Sequence, residues 1–295
     1  MDKKEERRKK INEKISKLND FFAKHGKQIS PTIPRIRKDA ELINLMNVAE
    51  KTREALKESG RELSTLSFNK PEEIEETLKM LGFVIENKKW KDPYLEVNLL
   101  LEWAIYRAFC ALGGRVPHGF GPILNWDGGE PIHTSSGLRP DLLVDFDDFS
   151  VIVECTISSG PRQYDTEAEP VIRHVARVIH EKKHESHPVY AFFVARELDP
   201  NVIEYFFVYH AFHKHPLAKE FITVIPLNVS QFKVIFEKLV EGMTAKQTIA
   251  DIFKQTQNIK SLKTCEACGI PKVNADSWHK QVVNLVEEKL GVQIR

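Results

Sequence analysis

Two short apolar runs, Leu142–Phe146 and Val151–Thr156, flank the polar pair Asp147-Asp148. This pattern predicts a β-hairpin. Asp141 and Glu154 lie equally far from its turn, so antiparallel pairing sets them opposite each other at the open end. Opposed residues have Cβ atoms about 4.5–5.5 Å apart, and facing like charges are unfavourable. Two carboxylates held that close need a cation or a shared proton. Oxygen-only ligation suits Mg²⁺, which takes one or two carboxylates and fills its shell with water and phosphate oxygens. Val151-Ile152-Val153 reads as buried strand. Glu154 therefore ends a core segment, where an unpaired charge costs several kcal/mol. The competing reading is an ordinary half-exposed hairpin with acidic ends.

A third carboxylate stands in a helical segment. Leu99-Leu100-Leu101-Glu102-Trp103-Ala104-Ile105-Tyr106 is apolar nearly all round. Glu102 pairs with Arg107, lies on a thin exposed stripe or, from a helix packed on the sheet, points at the same metal. Further on, Gly160 to His174 carries Arg162, Gln163, Glu167, Glu169, Pro170, Arg173 and His174. Pro170 favours a helix start and predicts a helix over about 168–185. Glu167 and His174 are seven residues apart, which puts them on one side of that helix if it begins early. Arg173 and His174 beside a carboxylate cluster suit phosphate contact or proton transfer. Guanidinium forks match phosphate oxygens, which makes Arg162 and Arg173 candidates for that contact.

The rest of the chain sets the frame. Its 295 residues carry 43 Lys+Arg against 42 Asp+Glu, a net charge of +1. That excludes binding nucleic acid by bulk charge and leaves local patches, with the basic N-terminus and Lys182-Lys183 as candidates. Four cysteines in such a length do not make a disulfide scaffold and point to a reduced, cytoplasmic setting. Residues 2–10 have no apolar core for a secretory signal. Tyr94–Leu112 holds Glu96, Glu102 and Arg107, too many charges to span a membrane. Helices are expected over 2–27, 38–58 and from Pro71, making residues 1–90 a helical accessory or linker region. Residues 91–295 are expected to form an α/β domain with a C-terminal helical extension. In it, strands fall at Val189–Val194 and Phe221–Ile225, and helices at about 200–213, 229–241, 245–257 and 276–290. Cys265-x-x-Cys268 with His279 falls short of the four ligands of a structural zinc site and reads as a turn. His210, His213 and His215 read as a surface helix end.

Pro140-Asp141 with Glu154-x-Thr156 resembles the PD-(D/E)xK nuclease motif, with threonine in the lysine position. Glu154-Cys155-Thr156-Ile157-Ser158-Ser159-Gly160, Gln163, Glu167, Glu169-Pro170-Val171 and Arg173-His174 resemble the catalytic domain of AlwI-type type IIS restriction endonucleases and their strand-nicking relatives, over roughly residues 92–240. The resemblance implies a restriction-endonuclease-like mixed sheet flanked by helices. It also implies Mg²⁺-dependent hydrolysis of double-stranded DNA, with Mn²⁺ as a substitute. Asp141 and Glu154 would be metal ligands, Glu102 the helix-borne acid, and Glu167 and His174 further active-site residues. Thr156 cannot supply the lysine's amine, so His174 or a metal-bound water must help activate the nucleophile. Such enzymes carry a long N-terminal recognition region, whereas residues 1–90 read as a linker. That pattern fits a cleavage subunit, a short relative or part of a larger assembly. One carboxylate cluster serves one strand, so cutting both needs a homodimer or a second subunit. A non-catalytic DNA-binding or scaffold subunit is the alternative, and three costly acids argue against it. An RNA-directed nuclease is a third reading.

Overall fold

The hairpin forms in the expected register. Strand β1 (Leu142–Asp145) pairs antiparallel with β2 (Ser150–Thr156), Leu142 opposite Val153 and Asp145 opposite Ser150. The computed structural model of the chain describes residues 68–88, 96–117, 119–124, 131–135, 139–182, 187–242, 244–259 and 274–294. The expected helices 2–27 and 38–58, the basic N-terminus, Lys183, Cys265 and Cys268 lie outside them. Nearly all the described residues belong to one unit, 65–123 with 131–295.

Strands β3 (Val189–Ala195) and β4 (Val224–Asn228) extend the sheet in the order β1-β2-β3-β4, both new pairings being parallel. Parallel neighbours need crossovers. Helix α3 (Pro161–Lys182) links β2 to β3, and α4 (Pro200–Ala211) links β3 to β4. Before the hairpin come α1 (Pro71–Ile85) and α2 (Val97–Ala111). After the sheet come α5 (Val229–Glu241), α6 (Ala245–Asn258) and α7 (Ala275–Leu290).

Period-two alternation divides the core between the two faces of the sheet. Leu143, Ile152, Ala191, Phe193 and Ala195 pack with Val171, Val175, Val202 and Phe206 from α3 and α4. Tyr190 and Phe192 turn the other way. There Phe192 meets Phe109 of α2, and Phe253 of α6 meets both Tyr190 and Phe192. Burying each such side chain contributes about 1.5–3 kcal/mol. On β2 the same alternation gives Glu154 and Thr156 the side of Ile152, toward α3.

Helix α2 is buried from Leu99 to Cys110, including Glu102 and Arg107. These two charges do not pair with each other. Arg107 donates to Glu73 Oε2 at 2.7 Å and to Thr77 Oγ1 at 3.1 Å, and its guanidinium lies 4.9 Å from the Phe68 ring centroid. Helix α1 thus neutralises Arg107, and Glu102 is left to the site.

Two expected boundaries are corrected. Helix α3 begins at Pro161 rather than near 168, so Pro170 lies inside it. Gln163 explains the early start: its buried side-chain amide donates to Ser158 O at 2.7 Å and Glu197 O at 2.8 Å, and its oxygen accepts from Asp199 N at 2.8 Å. That clamp fixes the first turn to the neighbouring loops. Strand β4 runs over 224–228 rather than 221–225. It includes Pro226, which an edge strand tolerates because one side of it needs no donor.

Candidate active site

The hairpin's open end assembles acids from three directions. Asp141 N donates to Glu154 Oε2 at 3.4 Å, continuing the strand register by one pair. Asp141 Oδ2 accepts from Cys155 N at 2.9 Å, and Oδ1 accepts from Ser135 Oγ at 2.9 Å. The backbone N–H of the same Ser135 donates to Glu102 Oε2 at 2.9 Å. One serine therefore joins the acid on α2 to the acid entering β1.

Helix α3 closes the other side. His174 Nδ1 and Glu154 Oε1 lie 2.7 Å apart, with both side chains buried. Two residues along β2, Thr156 Oγ1 donates to Glu167 Oε1 at 3.2 Å. Alternate positions on the strand thus meet positions two turns apart on the helix. The early start of α3 makes this possible, because it brings Glu167 into the same helix as His174.

Electrostatics bind these groups into one unit. Burial and then the Asp141 charge push Glu102 up to about 8, against the Ser135 N–H. Burial also raises Asp141 to about 6, opposed by its bonds from Cys155 and Ser135. Glu154 is raised well above the usual carboxylate range, first by burial and then by Asp141, Glu167 and Glu102. His174 falls to about 4 through burial and the nearby charges of Arg173 and Arg177. A carboxylate 2.7 Å away would raise an imidazole only if it were ionised. Burial thus disfavours the charged form of both partners, Glu154 being raised and His174 lowered. The other ring nitrogen, Nε2, is buried and finds no hydrogen-bond partner among the described residues.

Such acids can be relieved by protons or by a cation. Among the described residues, no three His, Cys, Asp or Glu side chains form a metal centre. Mg²⁺ requires only one or two carboxylates. Asp141 and Glu154 offer oxygen donors alone, and the Asp141 charge raises the proton affinity of Glu154, so the pair fits that requirement in chemistry. Glu102 adds a third acid through Ser135.

Of the arginines expected near phosphate, Arg162 is exposed, and Arg173 Nε donates to Glu169 Oε1 at 3.1 Å. Two histidines outside the site are structural. His210 is buried between Thr223 Oγ1 at 3.0 Å and Ile259 O at 3.1 Å, and His279 Nε2 lies 3.0 Å from Pro226 O. Burial of His210 corrects its expected place at a surface helix end. Sequence reading missed Ser135 and the Cys155 amide. Neither carries a signal: Ser135 lies in the polar run Thr134-Ser135-Ser136, and an amide donor has no residue type.

The solved small subunit (R.BspD6I2) of the heterodimeric restriction endonuclease R.BspD6I is similar, with 24% identity and a TM-score of 0.49, over 71% of this chain and 97% of that one. No curated protein matches. No helix among the described residues is long and apolar enough to cross a membrane. The family model described as AlwI restriction endonuclease matches residues 3–235, which include every acid of the cluster and His174. With that match spanning both the hairpin and the helix that closes it, the chain belongs to the AlwI restriction endonuclease family.

Proposed function

We propose that the chain is a Mg²⁺-dependent endonuclease that hydrolyses phosphodiester bonds of double-stranded DNA in the cytoplasm, with Mn²⁺ able to replace Mg²⁺. The observation that carries this reading is the set of linked acids Glu102, Asp141, Glu154 and Glu167 at one end of a hairpin, where burial first and neighbouring charge second raise the proton affinities of Glu102, Asp141 and Glu154. A chain gains nothing structural from burying such repulsion. A bound divalent cation would offset it.

Asp141 and Glu154 would hold the ion, with Glu102 as the third acid. When bound, a divalent ion supplies positive charge to the scissile phosphate and acidifies water near neutral pH. The chain's own groups do the positioning. Ser135 fixes Glu102 and Asp141 relative to each other, and Cys155 N–H orients Asp141. His174 holds Glu154 Oε1, and Thr156 holds Glu167. Thr156 has no amine, so proton transfer falls to the His174–Glu154 pair or to bound water. Arg162 and Arg173 would hold phosphate oxygens; for Arg173 that means leaving Glu169. One cluster cuts one strand, so a double-strand break needs a second copy or a different subunit.

Supercoiled plasmid incubated with Mg²⁺, with EDTA as control, tests this. Nicked or linear product that Asp141→Asn and Glu154→Gln abolish is the expected result. Cleavage that survives both substitutions refutes the assignment. Plasmid bound but uncut in Mg²⁺ and in Mn²⁺ would instead favour a non-catalytic DNA-binding subunit.

A further inference from the structure

We infer that Arg139, two residues before Asp141 of the carboxylate cluster, is a DNA-phosphate-binding residue seated by Gly119 and Phe120. This rests on the nuclease reading above.

Arg139 is joined to Asp141 through the single residue Pro140, and it is exposed. Its guanidinium carbon lies 5.2 Å from the centroid of the Phe120 ring. A Cβ on Gly119 would come within 2.7 Å of Arg139 Nη1, and Gly119 has a φ of +85°. The loop thus omits a side chain where the guanidinium lies and supplies an aromatic face beside it. This seat is anchored to the site. Phe120 packs against the core cluster that includes Leu143. A Cβ on Gly121 would sit 3.1 Å from Tyr106 and 3.2 Å from Leu142, so the loop rests directly on α2 and β1. Those elements carry Glu102 and lead from Asp141.

Among the described residues, Arg107 is matched by Glu73 and Arg173 by Glu169, whereas no carboxylate pairs with Arg139. A guanidinium stacked on a ring keeps its edge donors for a second partner, and those donors match phosphate oxygens in pairs. Seated two residues before Asp141 in the chain, this cation gives a DNA backbone that approaches the acids a point of attachment.

The test is a fluorescence-anisotropy titration of a labelled DNA duplex with the full chain in Ca²⁺, repeated over a salt series. Arg139→Ala should weaken binding about tenfold at low salt, and should flatten the plot of log affinity against log salt by about one contact. Arg139→Lys should restore the slope but not the full affinity, since lysine keeps the charge and loses the fork. Gly119→Ala, which pushes a methyl into the guanidinium's place, should weaken binding with the arginine intact. Lys238→Ala, which removes a half-buried cation on α5 already paired with Glu241, is the control and should change affinity less than about twofold. Thermal melts of each variant check folding. If the wild-type chain binds duplex and Arg139→Ala titrates like Lys238→Ala, this inference fails alone. If the wild-type chain binds no duplex at low salt, the nuclease reading fails with it.

Discussion

Glu102→Gln isolates what the buried acid costs the fold. The substitution keeps size and an acceptor for the Ser135 N–H, and removes the charge. Glu102 is 8% exposed, and its proton affinity in the folded chain is raised from 4.5 to about 8. Below pH 4.5 the carboxyl is protonated in both folded and unfolded chains, and the stability it contributes is fully present. As pH rises, the unfolded chain releases the proton while the folded chain keeps it, so stability is lost until about pH 8. The loss accumulates at about 1.4 kcal/mol per pH unit, which makes about 3–5 kcal/mol across the window. For a domain of about 200 residues each kcal/mol moves Tm by about 2–4 °C. In EDTA, the wild type and the Glu102→Gln variant should therefore melt together near about pH 5 and diverge by about 10 °C near pH 8.5, the variant being the more stable. Excess Mg²⁺ should narrow the gap by stabilising the wild type more. Scanning calorimetry over a pH series reads this directly. A gap that stays constant with pH would show that Glu102 is not held in its protonated form, and the reasoning would fail.

Three other substitutions probe separate links. Ser135→Ala removes the hydroxyl bond to Asp141 Oδ1 and leaves the backbone bond to Glu102; it should lower stability by about 1 kcal/mol and raise the Mg²⁺ concentration for half-maximal nicking several-fold. Arg107→Met leaves Glu73 without its partner and should cost about 3 kcal/mol in urea unfolding, near the low end for a broken buried pair because Glu73 is partly hydrated. Gly114→Ala would set a Cβ 2.2 Å from Val144 Cγ1 and 3.0 Å from Phe109 O; overpacking there should cost about 1–3 kcal/mol, seen as a lower urea midpoint at unchanged slope.

The hairpin is legible in the sequence because its register follows from symmetry about a turn, and both ends of that calculation are residue types. The pairing of Leu142 with Val153 matches it. Helices at 229–241 and 245–258 are legible for a similar reason: apolar periodicity, with Asn228 and Gln231 forming a capping box before the first. The misread boundaries both involve proline. Pro170 reads locally as a helix start, and the strand expected over 221–225 stops short of Pro226; local rules disfavour proline inside either element. Tertiary contacts override both, the first through Gln163 and the second through the edge position of β4. In the site, which carboxylates come together with His174 can be expected from sequence. The alternative that Glu102 pairs with Arg107 cannot be decided there, because it depends on Glu73 and Thr77, which reach Arg107 from 34 and 30 residues away. Ser135 is invisible for the same reason: its importance lies in what the fold brings to its two donors.

Pro170 has a mechanical effect on the site. Having no amide hydrogen, it cannot donate to the carbonyl of Thr166, one turn earlier. Glu167 and His174 therefore sit on either side of a gap in the hydrogen-bond ladder of one helix. The segment before the gap is tied to loops by Gln163, and the segment after it is tied to the sheet by Val171, Ile172 and Val175. The helix is thereby softest between the two residues that grip β2, and a small bend there would change the spacing of Glu167 and His174 without disturbing the strands beneath.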